Sequence, residues 1–266
     1  MGATVWKETA MAGRMDVRRS RGGQVAHVAV DHDAKLNTLN PGLMRDFAAT
    51  FATLGEDAGL RAVVLTGAGP RAFIGGADIS VMAAVQDSAG GEAFIRLVHG
   101  CCKAIRDCPV PVLGRVNGWC LGAGLEVAAA CDLRIAADSA KFGMPEVRVG
   151  IPSVVEAALL PGLIGWGRTR RLLLLAETIG AAEALEWGLV ETGAAAESLD
   201  AAVEAWIDLL LEAGPEAIRA QKALIRQWED LTLSQAVAAG IDAFAASWRT
   251  DEPARMLGGF MARKKR

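Results

Sequence analysis

The sequence predicts an α/β fold, a repeated sheet flanked by helices with a helical carboxy-terminal region. Three observations carry this. Short runs rich in Val, Ile and Leu alternate with amphipathic stretches as far as Gly165. Beyond Gly165 the apolar spacing is helical almost throughout. A hydrophobic content of 52%, with 30 glycines in 266 residues, suits a tightly packed α/β core and excludes a disordered chain.

The first expected elements are strands at 16–19 and 25–30, turned by Gly22-Gly23. Residues 43–54 read as a helix, because Leu43, Phe47, Phe51 and Leu54 share one face. Residues 61–66 (Arg-Ala-Val-Val-Leu-Thr) read as a buried strand ended by Gly67, Gly69 and Pro70. A helix at 92–107, a strand at 110–116, a helix from Ala123 and a strand at 133–136 continue the alternation. After Gly165 strands are expected to stop, leaving helices at 168–176, 181–187, 199–211, 215–228, 233–248 and 253–264. The boundary falls near 195–200, and the apolar faces of the last helices call for a partner surface. Self-association is the simplest source.

Charge and cysteine usage exclude several classes. A net charge of −3 gives no general attraction to nucleic acid or to an anionic membrane, and the basic end Arg263, Lys264, Lys265 and Arg266 reads as solvated. The chain has no apolar run long enough to span a bilayer. Residues 1–14 show no signal pattern, so a flexible tail and a cytoplasmic location are expected. Five cysteines form no Cys-x-x-Cys pair and no ligand-spaced cluster with histidine, so no metal is expected. With three histidines in the chain, attention shifts to carboxylates.

Three segments carry that chemistry. In Ala72-Phe73-Ile74-Gly75-Gly76-Ala77-Asp78-Ile79, paired glycines between a strand and a helical turn let backbone approach a ligand, and amides at a helix start are natural oxyanion donors. An ordinary glycine-rich loop is the bland alternative. In the segment 117–132, Glu126 is the one acid before Asp132, early in a helix of small residues suited to packing on all sides. Burying a carboxylate costs several kcal/mol unless partners or a raised pKa compensate, a cost retained where the group has use. A partly exposed glutamate helped by the helix dipole is the alternative. In the segment 141–152, Glu146 follows Pro145 among apolar residues, and alone it reads equally as salt-bridged. Together, two shielded carboxyls beside amide donors supply the base, the acid and the enolate stabilisation that water addition to an activated carbonyl compound needs.

These segments, in this order, resemble the crotonase (enoyl-CoA hydratase/isomerase) superfamily. The match runs from about Val25 onward. It rests on Leu36-Asn37-Thr38-Leu39-Asn40, Phe73 through Ile79, Asn117 through Arg134, Lys141 through Gly150, and Gly188-Leu189-Val190. The resemblance implies a spiral of ββα units over 15–197, holding the CoA and catalytic site, and a helical oligomerisation region over 198–266 that forms a trimer or a dimer of trimers. It places the thioester oxygen on the backbone amides of Ala77 and Ala123, where the family often has glycine at the second position. The two catalytic glutamates of hydratases match Glu126 and Glu146, whereas isomerases of the family typically keep only the second. Water addition to a trans-2-enoyl-CoA is therefore the implied reaction. No metal or redox cofactor is implied, and coenzyme A arrives within the acyl-CoA substrate. Substrate contacts are implied at Asn37, Thr38, Leu39, Gly75, Gly76, Asp78 and Ile79, with Lys264 for the CoA phosphates.

The sequence departs from the family pattern after Glu146. A glycine-rich Pro-Gly-x-Gly-Gly-Thr-Gln-Arg-Leu stretch is replaced by Pro152-Ser153-Val154-Val155-Glu156-Ala157-Ala158-Leu159-Leu160. Glu156 reads as a helix-stabilising acid. Sister reactions sharing the enolate (isomerisation, CoA-ester hydrolysis, decarboxylation) and a silent CoA-ester-binding subunit are the alternatives. A serine hydrolase lacks support, because the chain has no Gly-x-Ser-x-Gly elbow.

Overall fold

Two sheets of different size lie along a spiral in which each turn adds a long strand, a short strand and a helix. The computed structural model describes residues 13–264. A hairpin of β1 (Arg14–Ser20) and β2 (Val25–Asp31) leads into α1 (Pro41–Gly55). That helix starts where Asn40 Oδ1 accepts from Leu43 N–H at 2.9 Å and Pro41 occupies its first turn. The first full turn of the spiral is β3 (Ala62–Gly67), β4 (Ala72–Ile74), α2 (Ile79–Met82) and α3 (Ser88–Asp107). The second is β5 (Val112–Val116), β6 (Trp119–Leu121) and α4 (Ala123–Ala130). The third is β7 (Leu133–Ala137), β8 (Lys141–Gly143) and α5 (Leu160–Leu175). Then follow β9 (Thr178–Gly180), α6 (Ala181–Trp187), β10 (Thr192–Ala194), α7 (Leu199–Glu212), α8 (Pro215–Trp228), α9 (Leu233–Ser247) and α10 (Glu252–Lys264).

The large sheet runs β1-β2-β3-β5-β7-β10, parallel except at the first pair, and the small sheet runs β4-β6-β8-β9. Burial on both faces explains the near-continuous apolar strands. Along β3, Val63 and Leu65 enter the main core while Val64 enters a second cluster on the opposite face. There Leu199, Val203 and Ile207 of α7 cover Val25, Val64 and Ile135. Helix α8 is pinned by buried Lys222, whose Nζ donates to Asp132 Oδ2 at 2.7 Å and to Val110 O at 2.9 Å. By contrast α9 buries none of its residues and exposes Leu233, Val237, Ile241 and Phe244, with Trp248 exposed just past its end.

Three expectations need correction. Strands do not stop at Gly165: β9 and β10 lie beyond it, one in each sheet. The small sheet was not expected as a unit, because its three-residue strands are too short to show a period of two. Arg14, expected in a flexible tail, is the first residue of β1, while residues 1–12 of that tail lie outside the described residues, as do Lys265 and Arg266 of the basic end. Among the described residues no helix is long and apolar enough to cross a membrane.

Candidate active site

The small sheet delivers the site, because the chain leaves β4 and β6 side by side and both exits line one apolar cavity of about 340 Å³. Two backbone contacts set the spacing of these exits. At Gly124, on the first turn of α4, a Cβ would stand 2.0 Å from Ile74 O, so only glycine lets α4 sit against the end of β4. After β4, the chain pairs with the segment before α1: Leu39 N–H donates to Gly76 O and Asp78 N–H donates to Leu39 O, both at 2.9 Å. In such a parallel bridge the residue between the two bonds turns its own N–H away. That residue is Ala77, and it lines the cavity. Ala123 lies across from it as the first residue of α4, where the helix leaves amides without an internal partner.

Glu126 rises from the first turn of α4, a helix buried along its whole length, and is 4% exposed. Its pKa is pushed up to about 8, first by burial and then by the charge of Glu146, with Glu156 adding to it. Backbone hydrogen bonding from Ala157 and Val154 favours the ionised form and opposes this rise. Glu146 opens the 3-10 turn Glu146–Val149 and is also raised by burial; its own amide and Ser153 hold it back, the Ser153 hydroxyl donating to Glu146 Oε2 at 2.9 Å. Two interacting carboxyls with raised pKa values share protons as a pair. Near neutrality Glu126 keeps its proton. Such a pair both accepts and donates a proton across a substrate.

The cavity brings together Gly75, Gly76, Ala77, Ile79, Ala123, Glu126 and Glu146. Apolar Met82, Phe94, Ile95 and Val98 join them, with Val154 from the departing stretch. The remaining expected contacts lie outside its lining. Asn37 is fully buried, and its side chain is committed internally: Nδ2 donates to Ala68 O and Ala72 O at 2.9 Å, and Oδ1 accepts from His32 N–H at 2.9 Å. Its side chain shapes the loop, Leu39 is buried as well, and Thr38 is half-buried beside them. Asp78 caps α2 through Ser80 N–H at 2.9 Å and pairs with Lys35 at 3.1 Å. Lys264 is exposed at the end of α10 and does not line the cavity. Sequence reasoning missed Ser153 as the partner of Glu146 and His99 as the partner of Glu156, whose Nδ1 and Oε1 lie 2.8 Å apart. The altered stretch itself was the signal for Ser153. Nothing local points from His99 to a residue 57 positions away.

A spiral of ββα units with two carboxyls and two helix-start or loop amides around one cavity defines an enolate-stabilising fold class. A model of the enoyl-CoA hydratase/isomerase family matches residues 20–266. The chain is 31% identical over 244 residues to the short-chain-enoyl-CoA hydratase of Clostridium acetobutylicum, covering 91% of this chain and 93% of that protein. It is 31% identical over 249 residues to the crotonyl-CoA hydratase of Syntrophomonas wolfei, with the same coverage of 91% and 93%. The solved structure of an enoyl-CoA hydratase from Bacillus anthracis superposes with a TM-score of 0.89 at 28% identity, over 94% of this chain and 96% of that one. The chain belongs to the enoyl-CoA hydratase/isomerase family.

Proposed function

We propose that the protein is an enoyl-CoA hydratase, adding water to the double bond of trans-2-enoyl-CoA thioesters to give 3-hydroxyacyl-CoA. The observation that carries this reading is the pair of shielded carboxyls, Glu126 and Glu146, that line one cavity with Ala77 and Ala123, both carboxyls raised in pKa by burial. Addition of water needs a base for the water proton, an acid for the α-carbon, and donors for the oxygen that becomes an enolate. One carboxylate of the pair takes a proton from water as its oxygen bonds to the β-carbon. Charge moves to the thioester oxygen on the two amides, and the protonated partner then delivers its proton to the α-carbon. The pair ends with one proton, as it began. No electrons change hands, so the reaction calls for no redox cofactor, and CoA enters as part of the substrate.

Hydratase names among the relatives support the same reaction. The exposed apolar residues of α9 support self-association, as a trimer or a dimer of trimers. A cytoplasmic setting, where acyl-CoA esters occur, goes with this reading, and Lys264 is our candidate for the CoA phosphates. The test is a panel of trans-2-enoyl-CoA and 3-enoyl-CoA esters, with products identified by mass and chirality. Conversion of the trans-2 esters to 3-hydroxyacyl-CoA is expected. Isomerisation of the 3-enoyl esters without hydration would replace this reading by that of an isomerase.

A further inference from the structure

The stretch that departs from the family pattern carries a polar tether lying outside the cavity. Glu156 sits in the 3-10 turn Val155–Leu159 and is 8% exposed. Its Oε1 pairs with His99 Nδ1 of α3 at 2.8 Å, and its buried Oε2 has no hydrogen-bond partner among the described residues. Cys101 and Cys102 of α3 and Glu126 of α4 are the other titratable groups that sense its charge, and the weakly donating Cys102 thiol lies close enough to interact with the carboxylate directly. A buried carboxylate with one oxygen lacking a conventional hydrogen bond costs free energy that an apolar side chain at this place would avoid. A helix-stabilising role does not account for it, since the side chain reaches across to another helix.

The backbone around Glu156 is strained as well. Val155 has φ 39°, in the left-handed region that a β-branched residue rarely enters. Such a conformation persists only where the surroundings over-determine it. Its consequence is local: residues on either side of the strained turn face both catalytic carboxyls. Ser153 donates to Glu146, while the Val154 and Ala157 amides act on Glu126. One five-residue passage thus touches both carboxyls, and its attachment to α3 is the His99–Glu156 hydrogen bond.

We propose that His99 and Glu156 are positioning residues, a tether that holds the strained 153–157 turn against α3 so that its hydroxyl and amides keep Glu126 and Glu146 in register. The assignment rests on the hydratase reading for its kinetic consequence, but the tether itself is independent of which reaction the pair performs. Neither residue lines the cavity, so loss of the tether acts on turnover and spares binding.

The experiment compares His99→Ala, Glu156→Ala and the near-isosteric His99→Asn, whose amide nitrogen takes the place of Nδ1. Each is followed by hydrogen-exchange mass spectrometry of the 153–159 segment and by steady-state kinetics on crotonyl-CoA, with butyryl-CoA binding as the check on folding. Both alanine variants are expected to speed exchange in that segment at least tenfold while α4 stays protected. They are expected to lower kcat at least tenfold with KM and butyryl-CoA affinity within about twofold, and His99→Asn to recover most of both losses. Unchanged exchange in the alanine variants overturns the tether, as does failure of His99→Asn to recover. Variants that lose butyryl-CoA binding and α4 protection together also overturn it, since they show a general structural role. A wild-type protein without hydratase activity would defeat the proposed function and leave the exchange comparison standing.

Discussion

The Glu146 carboxylate rests directly against Gly122: a Cβ at that glycine would stand 2.5 Å from Glu146 Oε1. Gly122 also precedes Ala123, whose amide opens α4, and its backbone (φ 52°, ψ −123°) is one that side-chain-bearing residues rarely adopt. One glycine therefore governs the aim of the amide proposed as an oxyanion donor and the seat of the carboxyl proposed to act with Glu126.

Replacing Gly122 by alanine must move Glu146, turn the Ala123 amide, or both. A displacement of about 1 Å at reacting groups costs roughly a hundredfold in rate. Gly122→Ala is expected to lower kcat by about that factor in protein that still folds, as judged by circular dichroism. Wild-type kcat in folded Gly122→Ala would show that neither group needs this seat.

Removing one member of the proton-sharing pair leaves the enolate donors in place. Glu126→Gln and Glu146→Gln are each expected to reduce kcat by at least roughly a hundredfold while butyryl-CoA binds nearly as in the wild type. Calorimetric binding beside initial rates separates the two effects. Wild-type rates in either variant would remove that residue from the mechanism.

The raised pKa of Glu126, about 8 against an ordinary 4.5, has a definite sign in stability. The folded state holds a proton that the unfolded chain releases at lower pH. The stabilisation this gives is complete below about 4.5 and is lost as pH rises through about 8. A glutamine at this position never ionises, so Glu126→Gln should lose less stability than the wild type between about pH 5 and pH 9, by on the order of 3 kcal/mol. Urea unfolding at the two pH values measures the difference. Activity should also fall above about pH 8, when the pair loses its shared proton; a wild-type profile flat to about pH 10 would contradict that.

Asn37 offers a contrasting test. Its buried amide bridges three backbone groups and does not line the cavity, so Asn37→Ala orphans a donor and two acceptors. A loss of roughly 3 kcal/mol in stability is expected, with KM for crotonyl-CoA within about twofold below the melting transition. A large rise in KM at unchanged stability would return Asn37 to the substrate.

The legible parts of this protein were those that its burial pattern writes locally. Helix α1 was readable from Leu43, Phe47, Phe51 and Leu54, strand β3 from its unbroken apolar run, and Glu126 from its isolation among small residues. The positions of Ala77 and Ala123 came through resemblance, and the structure supplies what sets them, the contact of Gly124 with Ile74 O and the Leu39 bridge. Short strands such as β6 and β8 carry too few residues for a period to emerge, although they hold the site's framework. The internal bonding of the Asn37 side chain was not legible, because motif position does not say which way a side chain turns. The His99–Glu156 pair could not be read at all, since it depends on how α3 packs against a turn far along the chain.

The most direct test of the central claim is to incubate the protein with crotonyl-CoA in heavy-oxygen water and locate the label by mass spectrometry. The account predicts a 3-hydroxybutyryl-CoA product with the heavy oxygen on the β-carbon, formed by the wild type and abolished by combined Glu126→Gln and Glu146→Gln substitution. Unlabelled crotonyl-CoA alone, or labelled product formed equally well by the double variant, would contradict it.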